Sequence, residues 1–179
     1  MTKNKNDRSL ITQLVFGGLL AAIVTLSTML IRIPTPTKGY INLGDCFVNI
    51  SGWLLGPLYG SLAAGIGSAL ADLISGYAVY AAATFVIKAL MAAAAFFVYK
   101  HASKHIGGFA GRITAAAAAE LIMVTGYSLF EGFLYGSVSA ALLGIPSNTV
   151  QAIGGAVFSV TLYETVIKRI PAVKFLEHK

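Results

Sequence analysis

LITQLVFGGLLAAIVTLSTMLI, residues 10–31, runs for 22 residues without one charged side chain. As a helix it rises about 33 Å, enough to cross a hydrocarbon core of about 30 Å. Lys3, Lys5 and Arg8 stand before it in the manner of a secretory signal, but a signal's apolar region is only about 7–15 residues long and no small-x-small cleavage site precedes Arg32. The stretch reads as a first membrane span.

The rest of the chain repeats that character. Of its 179 residues 56% are hydrophobic and 11% charged, with a mean hydropathy of +0.76, whereas a soluble domain carries about 25% charge. Pro34 to Gly39 breaks the chain, and Gly56-Pro57 and Gly76 break it again. The expectation is an all-α integral membrane protein, one domain over residues 1–179, with six transmembrane helices at about 10–32, 43–56, 59–76, 79–100, 113–135 and 147–168. The second and third are short and joined by a tight turn, which fits a helical hairpin. A basic loop, Lys100 to Arg112, separates the fourth from the fifth.

Basic residues flanking spans are retained on the cytoplasmic side. Lys3, Lys5 and Arg8, then Lys100, Lys104 and Arg112, then Lys168, Arg169, Lys174 and Lys179 fall on one side, against Arg32 and Lys38 on the other. Both termini are therefore expected in the cytoplasm, which requires an even number of spans. The formal charge of +6 is accounted for by topology rather than by nucleic-acid binding.

Ionisable groups at membrane depth are costly unless paired or facing a cavity. At about 100° per residue, Tyr77, Tyr80, Thr84 and Lys88 share one face of the fourth span, and Glu120, Tyr127 and Glu131 one face of the fifth. Asn148, Gln151, Gly155 and Ser159 align on the sixth, Ser61, Gly65, Ser68, Asp72 and Ser75 on the third, and Asp45, Asn49, Gly52 and Gly56 on the second. Most of these polar groups fall in the outer half of the bilayer, above an inner half of Ala, Gly, Val and Leu. That arrangement describes a site loaded from outside rather than a continuous pore, although polar stripes also serve helix–helix hydrogen bonding. Whether Asp45, Asp72 and Glu120 are structural or functional stays open. Glu164 has Lys168 one turn on, and an i,i+4 ion pair explains it.

Small residues mark a second feature: Gly17 with Ala21 and Gly18 with Ala22 form overlapping small-xxx-small pairs on the first span, suited to close helix approach within the chain or to another protein. No phosphate-binding G-x-x-x-x-G-K-[ST] loop occurs. His101 and His105 lack an acidic third ligand, the single Cys46 excludes an intrachain disulfide, and no nucleophile–base grouping appears. No metal, cofactor or enzymatic activity is expected.

Taken in order, Gly39-Tyr40-Ile41-Asn42-Leu43-Gly44-Asp45, Gly56-Pro57-Leu58-Tyr59-Gly60, Gly67-Ser68-Ala69-Leu70-Ala71-Asp72-Leu73-Ile74-Ser75-Gly76-Tyr77 and Thr84-Phe85-Val86-Ile87-Lys88 resemble the substrate-binding S components of energy-coupling factor (ECF) vitamin transporters, in particular the riboflavin, hydroxymethylpyrimidine and pyridoxine branch. The resemblance implies a six-helix protein of the bacterial plasma membrane that captures a small water-soluble vitamin from outside and docks on a transmembrane T scaffold carrying two cytoplasmic ATPases. It also implies that the scaffold is met by a small-residue face of the first span, here Gly17, Gly18, Ala21 and Ala22, where the family's first alanine is replaced by glycine.

The substrate site is then expected from Tyr40 and Asn42 in the loop after the first span, with Lys88 and Glu131 as polar anchors, Tyr80 and Tyr127 as stacking surfaces, and Thr84, Asn148 and Gln151 as hydrogen-bonding groups. Aromatic rings with a few convergent polar groups suit a small flat heterocycle. Pyridoxine or a related pyridine or pyrimidine is preferred for a modest outer cavity, with riboflavin as the alternative. A ligand-facing Lys88 predicts that Lys88→Met spares apo stability while weakening binding. A proton-coupled transporter acting alone would instead use Glu120, Glu131 and Lys88 as a relay.

Overall fold

In lipid every backbone N–H and C=O must be bonded within the chain, which leaves helices as the simplest solution for apolar runs. The computed structural model describes residues 5–171 and residue 173, and Lys3, Lys174 and Lys179 lie outside the described residues. Helix α1 covers Lys5–Leu30, α2 Gly44–Ile74, α3 Ala78–Ile106, α4 Gly108–Tyr135, α5 Val138–Leu143 and α6 Ile145–Thr165, followed by a 3-10 turn at Ile167–Arg169. Between α1 and α2 a two-residue antiparallel pair, β1 (Ile33–Pro34) and β2 (Tyr40–Ile41), sets Ile33 opposite Ile41 and Pro34 opposite Tyr40. Among the described residues, five segments are long and apolar enough to cross a membrane: Leu10–Leu30, Gly44–Ile74, Ala78–Ile106, Gly108–Tyr135 and Val138–Arg169.

The second of these is bent back on itself. Pro57 has no N–H to bond the preceding turn, and Gly56 adopts φ 75°, ψ −172°, a backbone region open essentially to glycine alone. Past that point a Cβ added to Gly60 would lie 2.9 Å from the carbonyl carbon of Ser51 and 3.0 Å from the Cα of Gly52, whereas in a continuous helix those residues are about 12 Å apart along the axis. Residues 44–55 and 57–74 are thus two arms of a helical hairpin, packed against α1 and α3. The hairpin reading of the sequence describes this region.

Two other expectations are corrected. Lys100 to Arg112 is not a loop: α3 continues to Ile106 and α4 begins at Gly108, with Gly107 at φ 81° as the only break. Long basic side chains extend their charges past a helix end without disrupting the backbone, so charge there was no signal of a loop. The segment 136–146 holds α5, a short helix packed on α4, where the sequence reading placed none.

Alanines let the helices approach where the apolar half is densest. Ala92 and Ala95 of α3 and Ala115, Ala116 and Ala119 of α4 are fully buried, filled around by Met91, Met123, Val48 and Ile50. At the basic end Trp53, Tyr99 and Tyr163 form an aromatic group into which Arg112 inserts, its guanidinium 3.7 Å from the Tyr163 ring centre and 4.5 Å from that of Tyr99. Arg112 donates to Glu164 at 2.9 Å, and Glu164 also pairs with Lys168 as expected. Stacking and a charge-assisted bond together close this end of the bundle.

Candidate functional site

Four of the five polar stripes, those of the third to sixth expected spans, converge at the end remote from Arg112 on one cavity of about 30 Å³. Eight of the nine candidate residues line it: Tyr40 and Asn42 from the segment between α1 and α2, Tyr80, Thr84 and Lys88 from α3, Tyr127 and Glu131 from α4, and Asn148 from α6. Gln151 sits just beneath. Thr28, Thr35, Gly39, Ser68 and Asp72 complete the wall.

Beneath the cavity a buried polar network ties four elements together. Lys88 Nζ donates to Asp45 Oδ1 in an ion pair almost without solvent exposure. Gln151 Nε2 donates to Asp45 Oδ2 at 2.6 Å, while Gln151 Oε1 accepts from the Asn42 backbone N–H at 2.8 Å and its side-chain amide at 3.3 Å. Asn42 Oδ1 accepts the Gly44 N–H at 2.8 Å at the start of α2. Deeper still, Asn49 donates to Glu120 at 3.0 Å. Close approach makes this possible, since a Cβ on Gly155 would lie 2.8 Å from the Cβ of Asp45. A buried ammonium needs such a partner, and the sequence reading did not name Asp45 for it. The hairpin is the reason: folding α2 back brings Asp45 and Asp72, about 40 Å apart in a straight helix, to the same end of α3.

The ammonium keeps further donors, and it lies 5.4 Å from the Tyr127 ring centre. Tyr127 itself donates to Thr84 at 3.0 Å.

Over the cavity lies the turn between β1 and β2. The Thr37 carbonyl accepts from Tyr80 at 2.7 Å and from Tyr135 at 2.9 Å, and Tyr40 donates to Asp72 at 2.5 Å. Burial first, then the neighbouring Asp72 carboxyl and its hydrogen bond, hold the Tyr40 phenol well above its usual range, so it stays a donor. Lys38 supports the turn in the left-handed region at φ 61°. Thr37 and Tyr135 were missed in the sequence; Tyr135, one turn beyond Glu131 on the Tyr127–Glu131 face, could have been found by its period, whereas Thr37 acts through its backbone and leaves no such signal.

The second candidate face is divided by the packing of α1. Gly18 and Ala22 are exposed, whereas Gly17 and Ala21 are half-buried, and the Ala21 side of the helix leans on α2, where Thr25 donates to the Gly67 carbonyl at 2.8 Å.

The family model of the ECF-type riboflavin transporter S component matches residues 8–169. The chain belongs to that family. As an S component it is a vitamin-binding subunit of a transporter and not an enzyme. A curated relative, an uncharacterized protein in a gap 3′ region of Pyrococcus woesei, is 37% identical over 148 residues, covering 82% of this chain and 96% of that protein. Among solved structures, the S component of a bacterial ECF transporter superposes with a TM-score of 0.72 at 23% identity, covering 89% of this chain and 97% of that one. The S component for biotin from an ECF-type ABC transporter gives 0.62 at 20% identity over 92% and 96%. At those identities the likeness shows that this S component has their fold.

Proposed function

We propose that this S component captures a small, flat, water-soluble vitamin from outside the cell and delivers it to an ECF complex of a transmembrane T scaffold and two ATPases. The observation that carries the reading is the convergence of Tyr40, Asn42, Tyr80, Thr84, Lys88, Tyr127, Glu131 and Asn148 on one cavity, while the basic end is closed by Arg112 among Tyr99, Tyr163 and Glu164. Counting the two arms of α2 separately gives six crossings, and the basic residues Lys100, Lys104, Arg112, Lys168 and Arg169 set both termini in the cytoplasm of a bacterial plasma membrane. The cavity then faces outward. Lys88 and Glu131 anchor polar groups, Tyr40, Tyr80 and Tyr127 offer ring faces, and Asn42, Thr84, Asn148 and Gln151 hold the edges.

The family's name supports riboflavin as the first substrate to test. A smaller pyridine or pyrimidine such as pyridoxine is the second reading, since it asks for less widening of a cavity of about 30 Å³. Gly18 and Ala22, exposed on α1, are the part of the small-residue face free to meet the T scaffold, with Gly17 and Ala21 at its inner margin. Mass spectrometry of the small molecule that co-purifies with the detergent-solubilised protein, followed by calorimetric titration of riboflavin and pyridoxine, tests the assignment. A bound heterocyclic vitamin is expected. Absence of any bound or titratable vitamin overturns it, and uptake by vesicles holding this chain alone, driven by a proton gradient, would replace it with a secondary transporter.

A further inference from the structure

Helices α1 and α6 both pack on α2, and among the described residues not on one another. The wedge between them is an apolar groove of about 360 Å³, within the range of roughly 300–1,000 Å³ in which small molecules are held. Ser27 and Leu30 of α1 stand on one side of it, Phe158 and Leu162 of α6 on the other, and Cys46 and Phe47 of α2 form the floor. None of the described residues lining it is charged. Ser27 Oγ donates to the Val24 carbonyl at 3.0 Å, and Thr165 Oγ1, at the end of the groove nearest Arg112, donates to the Thr161 carbonyl at 2.7 Å. These hydroxyls are spent on their own helices, so a polar ligand would lose its hydrogen bonds on entering.

Length and charge select the occupant. Gly155 stands level with Asp45, the neighbour of Cys46, since a Cβ added to it would lie 2.8 Å from the Asp45 Cβ. From Gly155 to Thr165 α6 rises about 15 Å, half of a hydrocarbon core about 30 Å thick and so the depth of one leaflet. Directly past Thr165 the 3-10 turn presents Lys168 and Arg169, both exposed. Arg112 and Lys168 share Glu164, and Arg169 enters no ion pair among the described residues, so three cations there meet one carboxylate.

We propose that this groove binds one acyl chain of an anionic phospholipid from the leaflet at the basic end, with the headgroup phosphate held by Arg169 and Lys168. Hydrocarbon answers the apolar walls and the phosphate answers the positive excess at the mouth, two features that a phospholipid carries in one molecule. The site is separate from the polar cavity: Asp45 turns to Lys88, and Cys46, next in the chain, turns to the groove. The inference does not rest on vitamin capture; only the naming of that leaflet as the inner one follows from the orientation proposed above.

The full chain, alone in phosphatidylcholine nanodiscs containing phosphatidylglycerol with a diazirine midway along one acyl chain, provides the test. After irradiation, peptide mass spectrometry is expected to find adducts on Phe47, Phe158 and Leu162 at least about tenfold above those on Leu121 and Val150, which are exposed elsewhere on α4 and α6. Thr161→Phe, which fills the groove, should cut those adducts at least about tenfold. Arg169→Gln leaves the groove unaltered and should reduce the preference for phosphatidylglycerol over a phosphatidylcholine probe with the same diazirine about fivefold. Adducts spread evenly over the helices overturn the inference, as does equal labelling by the two lipids. Chain-to-chain cross-links through the groove in place of lipid adducts assign it to a second copy, and a groove unlabelled here but covered once the T scaffold is added assigns it to the scaffold; either result overturns the inference. No arm reads vitamin binding, so each of these failures leaves the capture reading standing.

Discussion

Lys88 serves two masters, and its partner decides how a substitution reads. The expectation that Lys88→Met would spare apo stability does not survive the ion pair with Asp45, because removing the ammonium leaves a carboxyl group with no solvent exposure and Gln151 as its remaining partner. Breaking a buried pair in this way costs about 3–5 kcal/mol. Lys88→Met is therefore expected to lower the apo melting temperature and also to weaken vitamin binding roughly 100-fold, about 2.8 kcal/mol. The double variant Lys88→Met/Asp45→Asn separates the two effects, since a neutral amide still accepts from Gln151. Melting curves should recover most of the loss while calorimetry still shows weak binding; wild-type affinity in the double variant would assign Lys88 to the scaffold alone. The sequence made Lys88 visible because an ammonium at membrane depth demands a reason. It did not reveal the partner, which depends on how the chain folds back 32 residues before it at Gly56.

That reversal is the element on which the site depends. Gly56-Pro57 was legible as punctuation, and its outcome as a hairpin followed from two short apolar runs on either side. Gly56 at φ 75°, ψ −172° tolerates no Cβ without strain, so Gly56→Ala is expected to cost about 1–3 kcal/mol in reversible unfolding or to lower the melting temperature correspondingly. An unchanged melting curve would show that the turn relaxes to another backbone region. The same scale exposes where the sequence misled: Lys100 to Arg112 reads as a loop by charge, yet a helix end needs only Gly107 to turn, and α5 has too few residues to announce a period. For α1 the repeat of small residues was visible, but not its division, because only packing against Gly67 tells Ala21 from Ala22. Gly18→Leu/Ala22→Leu should leave calorimetric binding intact and abolish uptake by the assembled transporter. Full uptake would remove α1 from coupling.

At the scale of the whole molecule, inward stripes could be read from periodicity alone, and six of the eight candidate residues lining the cavity lie on them, Tyr40 and Asn42 having come from the resemblance. What periodicity misses is any group that acts through its backbone. Thr37 holds its place over the cavity by a carbonyl shared between Tyr80 and Tyr135, and a carbonyl has no signature in a sequence. The cavity under it, at about 30 Å³, is far below the roughly 300 Å³ at which ligand pockets begin, and must widen for a vitamin. Capture must then wait for a minority population in which the turn has lifted, so the apparent affinity is the intrinsic one diminished by that population. The consequence is kinetic. In stopped-flow mixing the observed rate should level off with rising vitamin concentration instead of climbing linearly, the plateau reporting how often the clasp opens. Tyr135→Phe deletes one of its two hydroxyl bonds outside the candidate site, and a net loss of about 0.5–1.5 kcal/mol should raise that plateau roughly two- to tenfold; a linear rate in the unaltered protein would mean that the gate is never closed long enough to matter.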